Sequence, residues 1–230
     1  MHSTPSGPAW SRRGLLGKTT VTDNQKTYLV LPQFHAGMLT PEDLENLAAL
    51  ARKYQVPKTK ITGAQRVAFL GLEPEALEAL KNELQLPATP PHSRNRVHYV
   101  QACPGSTWCK YGQGDALRLG ERLKGIELEG PLPYKVKVGI SGCRFCCCES
   151  WMRDVGLTAE KKGWRFTFGG NAAGRPRIGD IVAEELSIEE AVALVTKTLN
   201  YYLREGRSKI RSARFMERIG IEALKKAVLG

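Results

Sequence analysis

The residues of this chain best suited to chemistry are its six cysteines, which fall in two groups. Cys103 and Cys109 enclose Pro104-Gly105-Ser106-Thr107-Trp108, and Cys143, Cys146, Cys147 and Cys148 crowd together behind Ser141-Gly142. Two such groups, brought together by a fold, supply the four thiolates of an iron-sulfur cluster or of a structural zinc site. In a reducing compartment clustered cysteines serve as metal ligands or catalytic thiols, and three in a row suit a disulfide framework poorly. A second candidate is the run Lys135-Val136-Lys137-Val138. A strand's period of two aims both lysine heads at one face, where they can hold an oxyanion and protonate its oxygens as they leave as water. A solvated edge strand carries the same pattern without any such role.

The elements that must position these residues are legible on either side of them. Val97 to Ala102 reads as a strand running into the first cysteine pair, Gly114 to Leu123 as a helix, and Tyr134 to Ile140 as a half-buried strand delivering the chain to the second group. Upstream, Thr27 to Leu31 predicts a short strand. Thr40, Pro41, Glu42 and Asp43 then start a helix whose apolar face is Leu44, Leu47, Ala48 and Leu50 or Ala51. Lys60 to Phe69 predicts one further strand region, and Pro74 opens a helix with Leu77, Leu80 and Leu84 inward. Downstream come strands at Asp154 to Thr158 and Trp164 to Phe168, the loop Gly169 to Arg175, and a long helix from the Ser187/Glu190 capping box to about Arg204. One or two shorter helices finish the chain. Trp108, Trp151 and Trp164 lie near the cysteine groups in sequence and could line a cofactor pocket, though such residues are more often core, and Tyr201 and Tyr202 read as packing the long helix. The expected class is α+β in three parts: a flexible arm over 1–24, a small unit over 25–88, and a larger one over 89–230 that begins within a linker holding three prolines between Pro87 and His92.

The totals narrow the partners. With 230 residues and 42% hydrophobic content the chain can bury a core. No stretch reaches the roughly eighteen apolar residues of a membrane helix, so the expectation is a cytoplasmic protein with no membrane partner. The formal charge of +11 attracts anions. Its basic residues run from Arg12 to Lys226 without a Lys/Arg block or a nucleic-acid motif, so nucleic acid is not the expected partner. A polyanionic cofactor, a small oxyanion or a solvated basic surface each account for the charge.

The order C-x5-C, a strand holding Lys-x-Lys, then Ser-Gly-Cys-x3-Cys resembles the siroheme and 4Fe-4S sulfite and nitrite reductase family. The resemblance continues through Asp154-Val155-Gly156, Gly169-Gly170 and the segment from Tyr201-Tyr202 to Arg218, and spans roughly residues 28 to 220. It implies a ferredoxin-like half domain followed by a domain binding siroheme and a 4Fe-4S cluster. Cys103, Cys109, Cys143 and Cys147 would be the cluster ligands, with Cys147 shared with the siroheme iron. Lys135 and Lys137 would be the substrate lysines. Siroheme is rich in carboxylates, which gives the positive charge a purpose; Arg66, Arg96, Arg175 and Arg177 are the candidate clamps. The implied activity is six-electron reduction of sulfite to sulfide, or of nitrite to ammonia. The sequence shows no flavin or nicotinamide fingerprint, so the electrons are expected from an external ferredoxin-type donor, an acidic carrier suited to a basic surface. Larger relatives hold two such repeats and this chain one, which leaves a homodimer or a compact monomer.

The chain also departs from the family pattern. Leu31 or Gln33 stands where the family has an arginine on the first strand, and His98, with Arg96 nearby, replaces another before the first cysteine pair. His98 is therefore a candidate anion and proton partner, its charge titrating near neutrality. Two rival readings stay open. One keeps the cofactors in a non-turnover electron-transfer or sensing protein. The other is a zinc module using Cys146 in place of Cys147, against which the five residues between Cys103 and Cys109 exceed the usual two to four.

Overall fold

The computed structural model describes residues 27–31, 36–86 and 97–230. The expected arm over 1–24, the Pro87 to His92 linker, Gln33 and Arg96 lie outside them. In the first unit β1 (Tyr28–Val30), α1 (Pro41–Lys53), β2 (Lys58–Ile61), β3 (Val67–Leu70) and α2 (Pro74–Glu83) follow in order. Helix α1 starts on a reciprocal capping box: the Asp43 N–H donates to the Thr40 hydroxyl at 3.1 Å, and the Thr40 N–H to the Asp43 carboxylate at 2.8 Å. The single strand expected over Lys60 to Phe69 is instead a hairpin, β2 and β3 joined by a turn at Thr62–Arg66 with Gln65 at φ 56°. Strand β2 is exposed at all four positions. It has no apolar face to announce it, which is why the sequence pattern merged it with β3. The sheet order β1-β3-β2 is antiparallel throughout, and Leu31, Phe69, Leu72 and Leu80 form a small separate core beneath it.

The second unit is a five-stranded sheet, β4 (Val97–Ala102), β5 (Val136–Ser141), β6 (Val155–Glu160), β7 (Gly163–Phe168) and β8 (Asp180–Leu186), in that spatial order. Strands β4, β5 and β6 are parallel and the last two antiparallel. Strand β8 had no expectation behind it; of its seven residues only Val182 is buried, so it too lacks a legible apolar face. Helices α3 (Gly105–Trp108) and α4 (Ala116–Lys124) connect β4 to β5, and α5 (Ile188–Glu205), α6 (Ser212–Ile219) and α7 (Ile221–Leu229) close the chain. Val136, Val138 and Ile140 are fully buried, and share one core with Leu119 and Leu123 of α4 and Val195 and Leu199 of α5. The strand period then turns Lys137, Gly139 and Ser141 to the opposite face. No helix among the described residues is long and apolar enough to cross a membrane.

The two units meet at β4, the edge of the larger sheet. The Gln65 side chain imitates a strand there, donating to the Ala102 carbonyl at 3.1 Å and accepting from the Ala102 N–H at 3.0 Å. The Gln101 amide reciprocates by donating to the Gly63 carbonyl. An open sheet edge is thereby satisfied by the hairpin turn, one residue from Cys103.

Candidate metal centre and anion pocket

Because β4 and β5 are parallel neighbours, with Ala102 opposite Ile140, both cysteine segments leave the same end of the sheet side by side. The Gly142 N–H donates to Cys103 Sγ at 3.0 Å, and Gln113 and Gly114 donate to the Gly142 carbonyl at 2.6 and 3.1 Å. Glycine is required for this approach. A Cβ on Gly142 would lie 2.7 Å from Gly105 Cα, and one on Gly112 would lie 2.4 Å from the Gly105 carbonyl carbon. The second cysteine group makes two successive tight turns, closed by Cys146 N–H to the Cys143 carbonyl at 3.2 Å and Glu149 N–H to the Cys146 carbonyl at 2.8 Å. Cys146 and Glu149 both take left-handed conformations, φ 57° and 53°, a strain that positions rather than stabilises. Cys147 is left exposed, while Cys148 turns inward with its N–H on the Ser141 hydroxyl.

All six cysteines are free thiols. The exposed Cys147 thiol is pushed up, first by the slight burial it has and then by Cys103, Cys143 and Cys109, so Cys147 stands within electrostatic reach of the other three. The Cys103 thiol is pushed down to about 5, chiefly by the hydrogen bond from the Cys148 thiol, which is itself pushed up, and further by the Gly142 and Gly105 N–H groups. Among the described residues no three Cys, His, Asp or Glu side chains are gathered tightly enough to hold a single metal ion.

On β4 and β5, before the cysteine segments, cationic side chains cluster around Tyr99. Tyr99 on β4 pairs with Lys137 on β5. Lys137 Nζ and Arg66 Cζ each lie 5.9 Å from the centroid of the Tyr99 ring, Lys137 from the neighbouring strand and Arg66 from the hairpin of the first unit. The Tyr99 hydroxyl accepts from Arg153 Nη1 at 3.0 Å. Asp154, fully buried, accepts from Arg211 Nη2 at 2.6 Å, from the Lys137 backbone N–H at 2.9 Å and from the Ser212 hydroxyl. Burial lowers the Lys137 ammonium pKa, Arg211 and Lys135 lower it further, and Asp154 opposes them. Burial also lowers Arg66 and raises Tyr99. The result is a half-buried ammonium that gives up a proton more readily than a free lysine, among other cations that attract an anion.

The structure therefore brings Arg66 and Lys137 to the Tyr99 ring, and exposed Lys135, just before β5, acts on Lys137 through space. It does not add Arg175 or Arg177 to that group. Arg177 bonds to Asp180 and to the Gly169 and Ile178 carbonyls, and exposed Arg175 reaches only Glu217, at 3.5 Å; both hold the loop after Gly169 in place. His98 lies in β4 at the register irregularity between Val97 and Tyr99, and its side chain is outside what the structure describes. Leu31, one of the two positions expected in place of the family's first-strand arginine, is a core residue of the first unit, and the other, Gln33, lies outside the described residues. Sequence reasoning missed Tyr99, Arg153 and Arg211. None sits at a telling spacing, and only the pairing of β4 with β5 and the return of the chain after Cys148 make them neighbours.

This fold and site define the nitrite and sulphite reductases, and the chain belongs to that family. The family's "Nitrite and sulphite reductase 4Fe-4S domain" matches residues 93–230, and its "ferredoxin-like half domain" residues 22–86. More particularly, the chain is 46% identical over 204 residues to an assimilatory-type sulfite reductase of Nitratidesulfovibrio vulgaris, covering 89% of this chain and 93% of that protein. It is 34% identical to the large subunit of an NADH nitrite reductase of Escherichia coli over 88% of its own length, but covers only 24% of that subunit. The fold is shared with dissimilatory sulfite reductase I, with a TM-score of 0.72 at 15% identity over 87% of this chain and 68% of the other.

Siroheme and a 4Fe-4S cluster are the cofactors of this family, and the residues present fit them. Four thiols converge on one end of the sheet. A cluster's own sulfides and irons keep its ligating thiolates farther apart than a lone zinc does, so thiols not gathered around one ion can still hold a cluster. The cationic heads alongside suit a carboxylate-rich macrocycle.

Proposed function

We propose that this protein reduces sulfite to sulfide, and that Cys103, Cys109, Cys143 and Cys147 would hold the cluster, with exposed Cys147 the thiolate that would also serve the siroheme iron. The observation that carries it is Lys137 and Arg66 flanking Tyr99 on β4, before the cysteine segments. When bound, the cofactor pair supplies electrons one at a time and a metal face for the anion. The chain's own residues do the rest. Lys137 and Lys135 hold the anion's oxygens against their charge, and the lowered pKa of Lys137 makes it the better proton donor as each oxygen departs with two protons as water. His98, on the same strand as Tyr99, is the further candidate proton source. Arg66 and Arg211 hold carboxylates of the macrocycle rim, with Arg175 and Arg177 rigidifying the loop beyond it. An acidic ferredoxin-type carrier is the donor that fits the charge of +11, and the cytoplasm the compartment that keeps the thiols reduced.

The test is the full chain purified without oxygen and loaded with both cofactors. Macrocycle absorbance bands with about four non-haem irons per chain, a spectral change on adding sulfite, and sulfide production from a chemical reductant are expected. Lys137→Met should abolish most of the turnover while retaining both cofactors. A fully loaded protein that turns over neither sulfite nor nitrite would establish the electron-transfer alternative instead.

A further inference from the structure

We propose that Arg153 is a positioning residue that ties the cysteine loop to the anion pocket, and so sets the distance between Cys147 and the Lys137 ammonium. The inference deepens the sulfite-reducing reading and rests on it. A cofactor clamp would present its guanidinium fork outward, but the Arg153 side chain is only 10% exposed and all three of its nitrogens engage protein atoms. Nε donates to the Cys148 carbonyl at 3.3 Å, Nη2 to the Glu149 carboxylate at 2.8 Å and Nη1 to the Tyr99 hydroxyl at 3.0 Å. The first two acceptors belong to the residues immediately after Cys147. The third carries Lys137 and Arg66 on its ring.

The backbone beneath is built for this crossing. On the face of β5 that carries Lys137, the next residue is Gly139, where a Cβ would stand 2.7 Å from Arg153 Cγ and 2.6 Å from the Cys148 carbonyl oxygen. Any larger residue would push both the arginine stem and the cysteine loop off the strand. One planar, rigid fork thus bridges a loop, a neighbouring strand and, through Tyr99, a hairpin of the other unit. A lysine at this position, with a single ammonium head, cannot span the three acceptors. The geometry matters because an anion between a cofactor and a proton donor reacts only when both are in place, and an error of about 1 Å can cost on the order of 100-fold in rate.

The test compares wild type, Tyr99→Phe, Arg153→Lys and the double variant as cofactor-loaded full chains. Cofactor content, kcat/KM for sulfite per loaded site, and amide hydrogen exchange over residues 143–149 are measured. Tyr99→Phe removes one charge-assisted bond and leaves the ring. It should keep its cofactors, lose roughly 10-fold in kcat/KM and speed exchange of the cysteine loop by a similar factor, although the substitution is on a different strand. Arg153→Lys should lose more, and the double variant no more than Arg153→Lys alone, because both act through one link. Unchanged loop exchange in Tyr99→Phe, or fully additive losses, overturns the proposal. If wild type itself fails to turn over sulfite, the functional reading fails, and loop exchange still decides whether the tether exists.

Discussion

Replacing Asp154 by asparagine probes the pocket at its buried anchor. The carboxylate has no solvent exposure and receives Arg211 at 2.6 Å, the Lys137 N–H at 2.9 Å and the Ser212 hydroxyl. An amide of the same shape keeps an acceptor oxygen and loses the charge. Hydrogen bonds to charged groups contribute roughly 1.5–3 kcal/mol and neutral ones about 0.5–1.5, so three weakened bonds sum to about 3–4 kcal/mol. Arg211, 20% exposed, is left without its counter-ion, which solvent only partly relieves. For a chain of this size the midpoint should drop by roughly 6–16 °C. Function shifts as well. In the role proposed for it Lys137 must be protonated to hold the anion, so activity should fall as pH rises through its pKa. That pKa is already below the ordinary 10.5, and Asp154 is the group opposing the fall. Without the carboxylate the basic limb moves to lower pH. Thermal unfolding followed by circular dichroism and a pH profile of kcat/KM for sulfite measure the two effects. A midpoint within about 2 °C of wild type together with an unmoved basic limb would refute the network.

Three further outcomes are expected. Serine at Cys103, Cys109, Cys143 or Cys147 should strip most of the iron from the chain while Cys146→Ser retains it, as read by iron and sulfide analysis; the opposite behaviour of Cys146 and Cys147 would restore the zinc-type pairing. Gly142→Ala places a Cβ 2.7 Å from Gly105 Cα and 2.9 Å from the Gly114 carbonyl oxygen, so it should lower iron per chain with the far-ultraviolet dichroism unchanged. Normal iron would mean the two loops can shift apart. Gln65→Ala removes two neutral hydrogen bonds at the β4 edge, a loss of about 1–3 kcal/mol. It should raise KM for sulfite by loosening Arg66 from Tyr99, and an unchanged KM would show that the hairpin docks without it.

Much of the architecture was legible because its residues carry strong periodic or capping signals. Val136, Val138 and Ile140 alternate with Lys137 and Gly139, and they are buried as the alternation demands. Thr40 with Asp43 and Ser187 with Glu190 form the capping boxes that start their helices. Where an element has no buried face, as in β2 and most of β8, periodicity had nothing to report. The two cysteine groups were legible as candidate ligands by their clustering, whereas the choice of Cys147 over Cys146 came only from the family resemblance. The cationic cluster was only half legible, since Lys137 on β5 and Lys135 just before it are two residues apart, whereas Tyr99, Arg153 and Arg211 come from segments far apart in the chain.

The sequence by itself determined which chemistry is available: thiols in two groups, paired lysines and an excess of positive charge. These follow from residue type and short spacing, which local backbone geometry converts directly into direction. The tertiary structure decided what meets what. The parallel pairing of β4 with β5 sets the cysteine groups side by side and places Tyr99 against Lys137. The return of the chain after Cys148 lays Arg153 across Gly139, and the hairpin at Gln65 brings in Arg66 from the other unit. Those contacts join residues tens of positions apart, and they depend on strand order and register, which no local pattern encodes.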